Sequence, residues 1–252
     1  MLFGRYASQK SEARYPDLWD GLRHIWCPQI QSPSGLTVYD FGRRNLNGAL
    51  TLRTPNAAWT RSSIGHSMLF AGSSTGAQTS DQGRIVIGRD LSDTRIGVSC
   101  WLRPNSLTKR GICTSGPNQS VPRFAITLLT TGQLEVYRGG NTTSTATISA
   151  DSWVHCFIWN DGANTSYWIN GRFSNTSAQA ISPSLQTQFF IGSNYWGAFD
   201  GQIAEFGVYD RLPSPQSIRR LATAPGMLFS PKRSVNYGST GNRRRQILVG
   251  MV

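Results

Sequence analysis

The stretch GQIAEFGVYDRLPSPQSIRRL at residues 201–221 constrains this chain most, because it sets three backbone states in a fixed order within one short run. Gly201–Tyr209 reads as an apolar strand and Asp210–Pro213 as a turn. Ser214 and Pro215 fit an N-cap followed by proline at the first helical position. Ile218 and Leu221 then lie three apart on one face of a helix of about two turns, with Arg219 and Arg220 turned elsewhere.

Upstream, from Leu36 onward, short β-rich runs alternate with Gly, Asn, Asp and Ser: LTVYDF, GALTLR, SMLFAG, RIVIG, GVSCWL, FAITLLT, QLEVYR, TATIS, WVHCFIW, SYWI and FFIGS. So many strands at near-regular spacing predict two antiparallel sheets packed as a sandwich. Asn170-Gly171 and Asp161-Gly162 are the strongest hairpin signals, since both pairs tolerate the positive φ of tight turns. Residues 1–20 are polar and without periodicity, and no internal repeat is evident.

Four segments occur in a telling order: GLRHIWCPQIQSPSGLTVYDFGRRNLNGALT (21–51), IGVSCWLRP (96–104), SWVHCFIWNDGANTSYWINGR (152–172) and FFIGSNYWGAFDGQIAEFGVYDRLPS (189–214). In this order they resemble the laminin-G-like, concanavalin A-type jelly rolls over roughly residues 18–222. The resemblance implies an all-β, two-sheet antiparallel jelly-roll sandwich with one short C-terminal helix and extended arms at both ends. The expected organisation is an arm at 1–20, the sandwich at 21–222 and a basic tail at 223–252. Ala204 stands where the family usually has an aspartate in the closing strand. The family also often holds calcium at a loop rim, with carboxylates and carbonyls as ligands. Asp81, Asp161 and Asp200 are the loop aspartates available for that; a role as turn residues explains each of them better than a role as ligand. No other cofactor is implied.

Composition narrows the class. The 252 residues are 38% hydrophobic with eight tryptophans, enough for one core of ordinary size. No apolar run approaches the ~18 residues of a membrane span. The first residues lack the apolar stretch of a secretory signal, which predicts synthesis in a host cytoplasm without export. Cys100 and Cys156 fall inside predicted strands and read as buried thiols. Cys27 and Cys113 sit in turn-like contexts, and four cysteines leave three disulfide pairings open.

The net charge of +12 is uneven. Residues 219–252 carry Arg219, Arg220, Lys232, Arg233, Arg243, Arg244 and Arg245 with no carboxylate, followed by the apolar end Ile247, Leu248 and Val249. A basic segment ending in ILVGMV suits docking along the sheet edge of another subunit better than phosphate binding, so nucleic acid is disfavoured as a partner.

Catalytic patterns are weak. A glycosidase of this fold needs two carboxylates flanking one bond. The glutamates Glu12, Glu135 and Glu205 are isolated, and Glu205 reads as solvent-facing. For glycan contact, the loop around Asn194, Tyr195, Trp196, Phe199 and Asp200 combines aromatics with amide and carboxylate groups, although Trp196 and Phe199 suit a lid over the end of the core better. Arg138 and Asn141, flanking Gly139-Gly140, read as a second exposed turn on the same rim. Trp101, Trp153, Trp159 and Trp168 read as core.

The expected function is a non-enzymatic structural protein of a phage virion, homo-oligomeric on its particle and held by its arms to capsid or tail proteins. The alternative is a free carbohydrate-binding lectin module, and a weaker one is a glycoside hydrolase of the same fold.

Overall fold

The computed structural model describes residues 12–31, 35–51, 57–72, 83–116, 124–179, 186–194 and 197–229. Sheet A holds β1 (Leu22–Trp26), β4 (Ala57–Ser62), β5 (Gly65–Ala71), β7 (Ile96–Pro104), β12 (Val154–Asn160), β13 (Asn164–Ile169), β14 (Arg172–Ala178) and β18 (Asp200–Tyr209). Their order is β14-β13-β12-β7-β18-β5-β4, with β1 also paired to β18. Sheet B runs β11 (Asn141–Thr147), β10 (Gln133–Tyr137), β9 (Ala125–Leu128), β8 (Arg110–Ser115), β15 (Phe189–Ile191), β6 (Arg84–Ile87), β3 (Gly48–Thr51) and β2 (Thr37–Val38). The short β16 (Ser193–Asn194) and β17 (Gly197–Ala198) close one end of it. The strand pairing is antiparallel apart from the single parallel contact Ala198–Gly111, so the expected all-β two-sheet sandwich is what the chain forms.

Alternation along the strands builds the core between the sheets. Val98, Cys100 and Leu102 of β7, Cys156 and Ile158 of β12, and Ile203, Phe206 and Val208 of β18 face Ile126, Leu134, Val136, Phe189 and Ile191 of sheet B. Each buried side chain of this kind contributes about 1.5–3 kcal/mol by leaving water. The four cysteines are all free and buried. Cys113 lies inside β8 rather than in a turn, and Cys100 faces Cys156 across the β7–β12 pair.

The outer face of sheet A is apolar as well, and covering it moves both expected domain boundaries. Phe157, Trp159, Trp168 and Tyr209 point outward from this sheet. They are capped by Leu18 and Trp19 of α1 (Pro16–Trp19), by Ile218 and Leu221 of α2 (Pro215–Leu221), and by Leu228 of a 3-10 turn at Met227–Phe229. Residues 15–20 are therefore part of the domain rather than an arm, and residues 223–229 belong to it rather than to the tail. Ion pairs join the two terminal segments: Arg220–Asp17 at 2.6 Å and Arg211–Asp20 at 3.1 Å. The helix after β18 starts as the sequence predicts, with the Ser214 hydroxyl accepting the Ser217 N–H at 3.1 Å and Pro215 at its first position.

Candidate functional site

The expected rim does not exist as one surface. Asp200 begins β18 beside Pro104, whereas the fully buried Arg138 donates to Asn160 Oδ1 at 2.7 Å and to the Asp93 carbonyl, beside Ile96. These ends are separated by the nine-residue length of β7, roughly 27 Å at the usual strand rise. Arg138 is thus a buried clamp rather than an exposed turn residue, while Asn141 is exposed at the same end. Phe199 is 0% exposed and fills the core. It has no face to offer a sugar.

Asp200 is half-buried and committed to its neighbours, accepting Asn105 Nδ2 at 3.1 Å and Ser106 Oγ at 2.6 Å. Asp161 sits at the opposite end and caps its own turn, accepting the Ala163 and Asn164 N–H groups at 2.8 and 2.7 Å. Partial burial alone would raise its pKa; those amide bonds outweigh it and hold the carboxyl below its ordinary value. Asp161 and Asp200 cannot share a calcium ion across the sandwich, and Asp81 lies outside the described residues. Among the described residues no group of three His, Cys, Asp or Glu side chains converges for a metal. Tyr195, Trp196, the Asn194 side chain, and Lys232, Arg233, Arg243, Arg244, Arg245, Ile247, Leu248 and Val249 also lie outside the described residues.

Glu205 is the other correction. A bulge at Ala204 turns its side chain onto the outer face of sheet A, where it is 2% exposed beneath the C-terminal segment. Burial raises its pKa to about 7, with the Gly226 N–H bond opposing that shift. Glu135 is also buried, on the outer face of sheet B, 3.4 Å from Lys109 Nζ. The two strand glutamates therefore lie on different sheets.

A cleft that the sequence did not announce opens on the outer face of sheet A, between α2 and the β13–β14 hairpin. Its volume is about 570 Å³, within the usual range for small-ligand sites. The hairpin turn is Asn170-Gly171, with φ of 50° and 73°, the doubly positive pair that a tight two-residue turn requires. Gly171 packs so closely on the helix that a Cβ there would sit 2.8 Å from the Arg219 Cα. This contact sets Arg172 and Phe173 of β14 opposite Arg219 and Pro215 of α2. Phe173 is 59% exposed, and the buried Trp168 supports it edge-on at 5.4 Å. Arg172 and Arg219 are both exposed, and neither guanidinium has a hydrogen-bond or ion-pair partner among the described residues. Arg220, the next residue, is held by Asp17. The signal for this site was present but split: an arginine and a phenylalanine straight after an Asn-Gly turn, and an arginine on the polar side of a helix about 45 residues later.

The family model described as the concanavalin A-like lectin/glucanases superfamily matches residues 71–219, more than half of the chain. The chain belongs to this superfamily. Searched against curated protein sequences, it has no match. Similar solved structures include domain 4 of AbnA, a GH43 extracellular arabinanase from Geobacillus stearothermophilus, in complex with arabinotriose. That likeness has a TM-score of 0.59 at 21% identity and covers 80% of this chain and 98% of that domain. Trypanosoma rangeli sialidase is similar with a TM-score of 0.60 at 15% identity over 82% of this chain, which spans 33% of the sialidase. The receptor-binding domain of botulinum neurotoxin type G has a TM-score of 0.58 at 10% identity, over 81% of this chain and 51% of that one. At these identities the likeness of this superfamily member to its neighbours is one of fold.

Proposed function

We propose that this chain is a non-enzymatic carbohydrate-binding module, with its site in the cleft between α2 and the β13–β14 hairpin. The observation that carries the reading is the 59%-exposed ring of Phe173 at the mouth of that cleft, flanked by two guanidinium groups that have no partner among the described residues. An aromatic face with adjacent hydrogen-bond donors is the minimal equipment for holding a sugar ring, whose C–H face is apolar and whose edge is hydroxylated. The reading is also supported by the likeness of fold to the arabinanase domain solved with arabinotriose, 98% of which this chain covers. The non-enzymatic part rests on the placement of the strand carboxylates. A glycosidase pair lies ~5–10 Å apart across one bond, whereas Glu135 and Glu205 occupy outer faces of opposite sheets.

A glycan array probed with the full chain and with Phe173→Ala tests this. Binding to a defined glycan set by the parent, lost in Phe173→Ala at unchanged melting temperature, is expected. An array with no bound glycan, or binding untouched by Phe173→Ala, contradicts it.

A second reading, a phage virion protein fastened by its terminal arms, is favoured by one observation: both terminal segments lie side by side on the outer face of sheet A, joined through Asp17–Arg220 and Asp20–Arg211. Described terminal segments gathered on one face fit an anchored module with homo-oligomeric capsid or tail contacts. The cleft shares that face and would turn toward the particle, which ranks this reading second. Purified particles containing the chain, and its loss from them on removal of residues 230–252, are the expected results; particles without the chain contradict it.

A further inference from the structure

We infer that the cleft between α2 and the β13–β14 hairpin selects anionic saccharides, sugars bearing a carboxylate or sulfate, with Arg172 and Arg219 receiving the acidic group and Phe173 the ring. This rests on the carbohydrate-binding reading and adds the charge of the ligand.

Several arginines of the domain already have a carboxylate partner. On the same face of sheet A a second cleft is bordered by Arg23, Arg95 and Arg211 together with the carboxylate of Asp210; Arg23 Nε meets Asp210 at 2.6 Å and Arg211 Nη1 meets Asp20 at 3.1 Å. Arg220 has Asp17 at 2.6 Å. Arg103 reaches Asp151 at 3.2 Å. The charges that border the Phe173 cleft are different, because no aspartate or glutamate lines it among the described residues. Two guanidinium groups held around one concavity repel each other, and an anion entering between them removes that repulsion while gaining charge-assisted hydrogen bonds.

The positions are built rather than incidental. Arg219 is in the last turn of a seven-residue helix fixed by Ser214 and Pro215, and Arg172 directly follows a turn whose Gly171 rests against the Arg219 backbone. The two backbones therefore keep their spacing, and only the side-chain torsions remain to be ordered when a ligand arrives. Guanidinium is planar and matches the oxygens of a carboxylate or sulfate two at a time, which a lysine does not. Asn170 adds an exposed amide at the cleft's edge; its Oδ1 is engaged by the His155 N–H at 2.9 Å, which leaves its amide NH2 as a donor for a hydroxyl. Phe173 supplies the one large apolar surface, and Trp168 keeps that ring upright. The overall charge of +12 raises the local concentration of anionic ligands around the whole molecule, but it does not choose a site. The cleft does.

The test is isothermal titration of the full chain with tetragalacturonate, with its methyl ester, and with a sulfated galactan tetrasaccharide, on the parent, Arg172→Gln, Arg219→Gln and Phe173→Ala. The methyl ester keeps ring and linkage and removes only the charge. Tetragalacturonate or the sulfated sugar is expected to bind at least about ten-fold tighter than the ester, the effect of one hydrogen bond to a charged group. That advantage is expected to vanish in either arginine variant while melting stays unchanged, both residues being exposed. Whichever acid is preferred identifies the group as carboxylate or sulfate. Equal affinity for acid and ester overturns the anionic inference and leaves the carbohydrate reading standing. An acid preference that survives both arginine substitutions overturns the assignment to this cleft. A parallel titration with polyglutamate completes the set: binding to it with no saccharide bound at all overturns both readings and makes the cleft a contact for an acidic protein.

Discussion

The carboxylate of Glu205 accepts the backbone N–H of Gly226 at 2.6 Å, which ties the last described segment of the chain to the outer face of sheet A. Glu205 lies 21 residues earlier, on the closing strand, and a bulge at Ala204 aims it at this contact. Cys27 faces the same carboxylate, its Sγ 4.0 Å away. A buried, hydrogen-bonded acid in this position makes the stability of the C-terminal cover depend on pH.

Two buried groups act in opposite directions. Glu205 has its pKa raised by burial from 4.5 to about 7, so its contribution is fully present below about pH 4.5 and is lost as pH rises through about 7. His155, with its pKa lowered by burial from 6.5 to about 3, contributes above about pH 6.5 and loses that contribution as pH falls toward 3. Between about pH 4.5 and 6.5 the two slopes oppose each other, each amounting to about 1.4 kcal/mol per pH unit at most. Urea unfolding from pH 4 to 8 checks this: relative to the parent, Glu205→Gln gains stability with rising pH, and His155→Gln loses it.

Gly171 is the hinge pin of the cleft. Gly171→Ala places a methyl group against the Arg219 Cα at a φ of 73°, with an expected cost of about 1–3 kcal/mol and a loss of saccharide affinity. Gly140→Ala is the control, since a Cβ there meets nothing within 4 Å. Thermal melting of both variants should separate them clearly.

The second hydrophobic cluster predicts where the domain can be cut. Leu18 is fully buried, and Leu18→Ala is expected to destabilise by about 2–5 kcal/mol, as a core truncation does. A chain ending at Ala222 should melt well below one ending at Phe229, because residues 223–229 carry Leu228, the Gly226 N–H and the ring that meets Trp19 at 5.7 Å. Equal melting of the two truncations would return residues 223–229 to the tail.

The closing strand, Ser214, Pro215, Ile218 and Leu221 were legible because local chemistry determines them: an N-cap, a proline and a three-residue spacing lie within eight positions. The hairpins at Asn170-Gly171 and Asp161-Gly162 were legible for the same reason. β8 was not, because RGICTS is short and half polar and becomes a strand only between β9 and β15. β14 was implied only by the Asn170-Gly171 turn before it and not by its own residues, because RFSNTSA pairs through its backbone at a sheet edge and buries little. The cover of sheet A was hidden in another way. Leu18 and Trp19 are too few to show a period, and their burial follows from an apolar face that lies more than a hundred residues away in sequence. The cleft combined both difficulties, since it needs an edge strand and a helix brought together by one glycine. Glu205 and Arg138, charged residues expected in water, are buried because polar groups receive them: the Gly226 N–H for Glu205, and Asn160 with the Asp93 carbonyl for Arg138.

The most direct test of the central claim is a ¹⁵N–¹H correlation spectrum of the full chain titrated with tetragalacturonate. Shift changes centred on Asn170–Phe173 and on the amides of α2 are predicted. Changes centred instead on the loops around Asn105 and Asp200, or on the outer face of sheet B, would contradict the account.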